Sequence, residues 1–271
     1  VVKADGLASG KGVVICNSKQ SVEKFSNEIF LGKFKSSKKL ILEEFLEGEE
    51  ASYFLIVDKK TFSFMGSAQD HKRVGENETG LNTGGMGAYS PAPIINKNLE
   101  KKILNKIVKP TLRALKSKNM SYTGFLYVGL MIKNNEPYLI EYNIRMGDPE
   151  CQVIMPRLKT DLVKLLDAAV NNRLSKIKIK WIKDKCMTIV LCAKGYPKKY
   201  TNDKKIDLLK VVLKKKSYIF HAGTKLKNNL LLSNSGRVLN IVVAGNSFAK
   251  IRSEIFKIIK QINWKYGFFR K

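Results

Sequence analysis

Pro137-Tyr138-Leu139-Ile140-Glu141-Tyr142-Asn143-Ile144-Arg145-Met146-Gly147-Asp148-Pro149-Glu150 decides how this chain is read. Its first seven residues form a strand. Side chains alternate along a strand, so Glu141 and Asn143 share one face, about 7 Å apart. Two oxygen ligands at that separation can hold a hard cation such as Mg²⁺ beside a triphosphate. Arg145 continues on that side, and residues 147–150 read as a helix start, with Asp148 as cap and Pro149 in the first turn. Just upstream, residues 124–132 are nearly all apolar, as in a strand buried on both faces. Lys133-Asn134-Asn135-Glu136 turns one strand into the other.

Towards the N-terminus, residues 1–4 and 13–16 are β-branched runs around Asp5-Gly6-Leu7-Ala8-Ser9-Gly10-Lys11-Gly12, which reads as strand, glycine turn, strand. The glycines allow close backbone approach, and Lys11, between Gly10 and Gly12, can lie along a polyphosphate. The loop is not a P-loop. Gly6 to Gly10 is one residue short of that spacing, Gly12 stands where a hydroxyl is required, and a strand follows where a helix must open. Residues 18–31 carry Val22, Phe25, Ile29 and Phe30 at helical spacing behind a cap at Asn17 or Ser18. A strand from Leu40 then runs into a turn with five acids between Glu43 and Glu50 and out into a strand over 53–58. Its plain reading is an exposed acidic turn. Its functional reading is that Glu43 accepts from an exocyclic amine, the backbone near Phe45 and Leu46 mimics a base edge, and Glu50 holds a ribose diol.

Between residues 69 and 91, Gln69-Asp70-His71-Lys72-Arg73-Val74-Gly75 and Asn82-Thr83-Gly84-Gly85-Met86-Gly87 form a loop too long and too glycine-rich for a passive connector. It pairs cations with bare backbone amides, which suits an anionic substrate or a transferring phosphoryl group. A helix over 98–117 points Leu99, Ile103, Ile107 and Leu112 inward, with a kink at Pro110. Another helix spans 160–171. From residue 177 the pattern becomes short strands at 186–193, 206–213, 217–221 and 237–244, with hairpin material at 220–224 and 233–236 and a helix over 247–262. These elements predict a small α+β domain in which His221 packs within a hairpin.

Lys and Arg number 50 against 23 acids, a net charge of +27, which would suit a nucleic-acid or anionic-membrane partner. The excess is localised: residues 1–65 carry +1, residues 66–175 carry +6 and residues 176–271 carry +20. Eight of the basic residues are Arg, the side chain that phosphate clamps favour. The chain is also rich in Ile and Asn, as an AT-biased genome would make it. Lys176, Lys178 and Lys180, and Lys214-Lys215-Lys216, read as solvated edges, so nucleic acid is not the expected partner. Cys16, Cys151, Cys186 and Cys192 form no metal set with His71 and His221 and read as core thiols in a reducing compartment. No apolar run is long enough to cross a membrane and nothing resembles a signal peptide, which points to a cytoplasmic protein, expected to be monomeric. The chain opens in mid-strand without Met, which reads as a fragment of a longer protein.

In their order, the glycine loop with Lys3 and Lys11, the seven-residue spacing from Glu43 to Glu50, the 70–87 loop and Glu141-x-Asn143-x-Arg145 resemble the ATP-grasp ligases. KADGLASGKGV, EEFLEGEEAS, QDHKRVG, NTGGMGAYSPAP, YTGFLYVGLM and RMGDPE narrow this to the phosphoribosylamine–glycine ligase family, over essentially the whole chain, and AKGYP, FHAGT and GRVLN fit its closing domain.

The resemblance implies a mixed α+β and α/β fold: an ATP-grasp lid over 1–65, a core with the Mg²⁺ site over 66–176 and a small C-terminal domain over 177–271. It implies that ATP phosphorylates glycine and that 5-phosphoribosylamine attacks the acyl phosphate. Lys3, Gly6, Gly10, Lys11, Gly12, Glu43, Phe45, Leu46 and Glu50 would bind ATP. Asp70, Lys72, Arg73 and Arg145 would be catalytic. Asn82, Thr83, Gly84, Gly85, Gly87, Gly147 and Asp148 would bind substrate, and Glu141 and Asn143 would hold Mg²⁺ or Mn²⁺. The pattern departs from many relatives in lacking an acid about a dozen residues before Glu141, and family members begin with a further N-terminal domain. The alternatives are another ATP-grasp carboxylate–amine ligase and a non-catalytic ATP- or polyanion-binding remnant.

Overall fold

The computed structural model describes residues 1–271 apart from Leu7, Ser9, Gly10, Lys11 and Ser36. It divides into two compact units, Val1–Gly48 and Glu49–Lys271. The expected division at residue 65 lies inside a strand of the second unit.

In the first unit, β1 (Val2–Ala4) is the middle strand of an antiparallel sheet between β2 (Val13–Val14) and β3 (Leu40–Leu42). Helix α1 (Lys19–Phe30) starts at Ser18, which exchanges capping-box hydrogen bonds with Ser21. Phe25 and Ile29, four residues apart, bury one stripe against Val2. Phe30, expected on that stripe, is rotated out of it and is exposed.

The second unit holds a nine-stranded sheet. Its first strands are β4 (Glu49–Val57), β5 (Phe62–Asp70), β6 (Gly87–Ser90), β7 (Gly124–Lys133) and β8 (Glu136–Asn143). Tyr53, Leu55 and Val57 of β4 pack on Leu99, Ile103, Ile107 and Val108. Phe54 and Ile56, on the other face, pack on Val153, Ile154 and Leu165. Helices cover both faces, which is why β4 and β7 read as continuous apolar runs.

The helix expected over 98–117 is α2 (Lys97–Ile103), a π turn over Leu104–Val108 and α3 (Lys109–Ser117). The irregularity directly precedes Pro110, whose ring and missing N–H disfavour a regular turn there. The helix start expected at Asp148 is displaced: α4 is Cys151–Ile154, and the Asp148 side chain bonds Gln152 and Arg237 instead of capping. Asp161 caps α5 (Leu162–Val170) by accepting from Lys164 N at 3.0 Å.

The tail third continues the same sheet, since β9 (Lys185–Ala193) pairs with β6. It adds β10 (Ser217–His221), the hairpin β11 (Thr224–Lys227) and β12 (Leu230–Ser233), β13 (Arg237–Gly245), α6 (Phe248–Gln261) and β14 (Gly267–Phe268). The main sheet runs β10-β13-β9-β6-β5-β4-β7-β8, with β14 on β9. The β11–β12 hairpin turns on Asn228 and Asn229, both left-handed.

The strand expected over 206–213 does not form. Asp207 Oδ1 accepts from Leu209 N at 2.9 Å, an Asx turn that diverts the chain and leaves Leu209 and Val212 exposed. Lys176, Lys178 and Lys180 do alternate outward while Ile177 and Ile179 pack inward, without a ladder. His221, expected to pack within a hairpin, is instead exposed at the end of β10, which pairs with β13, and its Nδ1 lies 2.9 Å from Thr224 Oγ1. Burial pushes the Cys186 and Cys192 thiols up to about 12, as for inert core residues. Among the described residues, no helix is long and apolar enough to cross a membrane.

Candidate active site

The register of β7 against β8 builds the first part of the site. It slips by one between Gly129 and Leu130, so that Glu141 faces Gly129 and Asn143 faces Tyr127. Such a slip re-aims side chains at a strand end. Although the backbone separates Glu141 from Asn143 by two residues, their side chains converge: Asn143 Nδ2 donates to Glu141 Oε1 at 3.0 Å. Gly129, twelve positions before Glu141, lies where the sequence lacks a further acid. A Cβ there would press on Glu141 Cγ at 3.2 Å.

The end of β5 and the start of β4 supply a charged cluster beside this pair. Glu50, Ser52, Asp70, Lys72, Tyr127, Gly129 and Glu141 line one cleft. Lys72 Nζ pairs with Glu50 Oε2 at 2.5 Å. Burial opposes the Lys72 charge, but Asp70 and Glu50 outweigh it and hold the ammonium above its ordinary range. Burial also raises Asp70, with Lys72 pulling it down and Glu50 pushing it up.

Behind the cleft lies Glu150, 3% exposed. Ser52 Oγ is 2.9 Å from the Tyr127 hydroxyl and 3.1 Å from Glu150 Oε1. With one proton on each hydroxyl, Tyr127 can donate to Ser52 and Ser52 to Glu150. Burial, and then the Asp70 charge, push Glu150 up to about 7.

The glycine-rich loop is tightly tied. Thr83 N and Oγ1 both donate to Lys72 O, at 2.7 and 2.8 Å, and Gly85 N donates to Thr83 Oγ1 at 3.0 Å. Gly85 has φ +113°, and a Cβ there would strike Pro149 Cδ at 2.5 Å. Gly87 lies in β6, and Asn82 bridges Arg73, whose Nη1 donates to Gly80 O at 2.9 Å. Arg237 reaches both the loop and Asp148: its Nη1 donates to Gly84 O and Asp148 O, each at 2.7 Å, and its Nη2 donates to Asp148 Oδ2 at 2.9 Å. Gly147 is buried above the Glu150 carboxyl group. Arg145 is exposed, and its Nη1 donates to Met146 O at 2.9 Å.

In the first unit, Lys3 Nζ pairs with Glu43 Oε2 at 2.5 Å, and Glu43 N donates to Val1 O at 2.9 Å. Phe45 is exposed and Leu46 half-buried beyond β3. Gly12 O accepts from Ala4 N at 2.8 Å, and Gly6 lies in the bend after β1. Gly10 and Lys11 lie outside the described residues.

The structure gathers Glu50, Asp70, Lys72 and Glu141, read separately from the sequence as ribose-binding, catalytic and metal-binding residues, along one cleft, with Asn143 bonded to Glu141; sequence reasoning missed Ser52, Tyr127, Glu150 and Arg237. Glu150 did carry a signal. It stands three and four residues before Val153 and Ile154, on the face that a helix there would bury.

The family model described as phosphoribosylglycinamide synthetase matches in two parts, its ATP-grasp (A) domain over residues 1–151 and its C domain over residues 186–271. The phosphoribosylamine–glycine ligase of Brucella melitensis is 44% identical over 275 residues, spanning all of this chain and 64% of that protein. The crystal structure of phosphoribosylamine–glycine ligase from Thermotoga maritima aligns with a TM-score of 0.88 at 32% identity, over 99% of this chain and 67% of that one. Biotin carboxylase from Campylobacter jejuni, 13% identical with a TM-score of 0.72 over 98% of this chain and 58% of its own, shares the fold. The chain therefore spans about two thirds of the length of its curated relatives.

Proposed function

The chain belongs to the phosphoribosylglycinamide synthetase family, and on that premise we propose that it carries the ATP-grasp and C domains of a cytoplasmic ligase that joins glycine to 5-phosphoribosylamine. The observation that carries this reading is the convergence of Glu50, Asp70, Lys72 and Glu141 on one cleft, with Asn143 bonded to Glu141. Phosphoryl transfer between anions requires positioning and charge neutralisation, and it needs no nucleophilic side chain. The cleft is built for that task.

ATP transfers its γ-phosphoryl group to the glycine carboxylate, giving glycyl phosphate and ADP. The amine of phosphoribosylamine then attacks the carbonyl carbon. The C–N bond forms, the C–O bond to phosphate breaks, and the amine sheds a proton. Lys72, kept charged by Asp70 and Glu50, neutralises the transferring group. Arg73 and Arg145 supply further positive charge. The Asn82–Gly87 loop and the Gly147–Asp148 turn hold glycine and the acyl phosphate, with water excluded. Lys3, Lys11, Glu43, Phe45, Leu46, Glu50 and the glycines of the first turn serve the nucleotide.

Glu141 and Asn143 fit a hard cation. They offer carboxylate and amide oxygens from adjacent side chains, two protein ligands in all. An incomplete protein set suits Mg²⁺, which keeps waters and phosphate oxygens as ligands. When bound, Mg²⁺ or Mn²⁺ would neutralise the phosphate charge. The lysines of the tail third form solvated surface.

The test is ADP release by the full-length gene product. Release that requires both glycine and phosphoribosylamine, with glycinamide ribonucleotide as product, is expected. Nucleotide turnover indifferent to glycine would refute the proposal.

A further inference from the structure

The loop holding Gly84 and the turn holding Asp148 are far apart in sequence, yet one side chain from a third region joins them. Arg237, the first residue of β13, donates Nη1 to both Gly84 O and Asp148 O at 2.7 Å, and Nη2 to Asp148 Oδ2 at 2.9 Å. Its side chain is 20% exposed. Gly84 N is held from the same side, donating to the Tyr196 hydroxyl at 2.9 Å. Both the N–H and the C=O of Gly84 are thus fixed by residues of the tail third. The guanidinium lies so close to Gly84 that a Cβ there would meet its carbon at 3.0 Å.

The chemistry of this contact is specific to arginine. A planar fork can serve three oxygens from two nitrogens in fixed directions, and the Asp148 carboxylate makes the bond charge-assisted. The shortest bonds go to backbone carbonyls, so the side chain sets where the backbone runs.

We propose that Arg237 is a positioning residue for the non-nucleotide substrates: by holding Gly84 and Asp148 in one geometry, it makes the tail third part of the substrate site. This rests on the assignment of the Asn82–Gly87 loop and the Gly147–Asp148 turn to substrate. Arg237 touches no nucleotide-binding element of the reading above, so its loss should separate substrate from ATP kinetics.

The experiment compares Arg237→Ala and Arg237→Lys with the wild type in the full-length gene product. Arg173→Ala, which breaks an exposed pair with Asp167, serves as the control expected to leave kinetics unchanged. Misplacing a binding group by about 1 Å can cost on the order of 10²-fold. Both variants should raise the KM for glycine or phosphoribosylamine by about tenfold or more while the KM for ATP moves less than about twofold. Lysine, lacking the fork, should rescue poorly. Added guanidinium ion should restore substrate affinity to the alanine variant, a response that general loss of structure would not give. Hydrogen exchange at residues 84–86 and 147–151 should quicken in both variants.

Unchanged substrate KM values, or ATP affinity falling in step with them, would overturn the inference. Should Arg237→Ala not fold, Arg237→Lys decides by the same readings. A wild type without glycine-dependent turnover overturns the ligase reading and the substrate role together. An active wild type whose variants keep their KM values overturns the substrate role alone.

Discussion

Asn143 Nδ2 donates to Glu141 Oε1 across 3.0 Å, so the amide holds the carboxylate at the mouth of the charged cleft. A carboxylate restrained in this way is held in place by the protein alone, and hydrogen bonds that orient a ligating carboxylate commonly contribute about 10–100-fold in metal affinity or activity.

Glu141→Ala removes the only carboxylate of the pair. Turnover should fall by on the order of 10²-fold or more, and Mn²⁺ affinity, read by electron paramagnetic resonance in the presence of nucleotide, should fall with it. Asn143→Ala should have the smaller effect on both. Unaltered Mn²⁺ binding in Glu141→Ala would place the metal elsewhere.

Gly147→Ala tests the packing of the turn that carries Asp148. A Cβ at Gly147 would meet the Glu150 carboxyl carbon at 2.5 Å, and Glu150 is buried and cannot swing into solvent. Overpacking at such a site costs about 1–3 kcal/mol. The loss should appear as a lower urea midpoint with an unchanged m-value. A wild-type midpoint would mean that the Glu150 carboxyl moves without cost.

The elements legible in sequence are those whose signals are local. Helix α1 announces itself by Ser18 and the Phe25–Ile29 spacing, and the β7–β8 pair by an apolar run, a tight Asn-Asn turn and the Glu141/Asn143 alternation. Residues 206–213 misled because their apolar run resembles a strand, while the Asp207 side chain that breaks it acts over two residues. The site follows the same division. Glu50, Asp70 and Lys72 stand in recognisable strings, whereas Arg237 acts on Gly84 and Asp148 only through the register of a sheet assembled from distant strands. Nothing near Arg237 in sequence reveals its partners.

Lys72→Met should leave Asp70 and Glu50 without their shared cation. The pair is partly open to water, so the expected stability loss at neutral pH is modest, about 1–2 kcal/mol. It should shrink in mild acid as Asp70 takes up a proton. Catalysis should suffer more, by about 10²–10³-fold in kcat, if the ammonium neutralises the transferring phosphoryl group. A kcat that survives in Lys72→Met would exclude that role.

Glu150 makes stability depend on pH in a direction opposite to that of an ordinary surface carboxylate. Burial and the neighbouring Asp70 raise it from an ordinary 4.5 to about 7 in the folded protein. Below pH 4.5 the group is protonated in both states and its contribution is fully present. As pH rises from 4.5 to about 7, the unfolded chain has lost this proton while the folded protein retains it, so stability falls. Above that window the contribution is flat. The raised carboxyl of Asp70 acts in the same direction. Glu150→Gln keeps an acceptor for Ser52 but has no proton to lose. Relative to that variant, the wild type should lose up to about 3 kcal/mol across the window, measured by urea denaturation at a series of pH values. A stability difference between the two proteins that does not vary between pH 4.5 and 7 would mean that Glu150 is already ionised in the folded state.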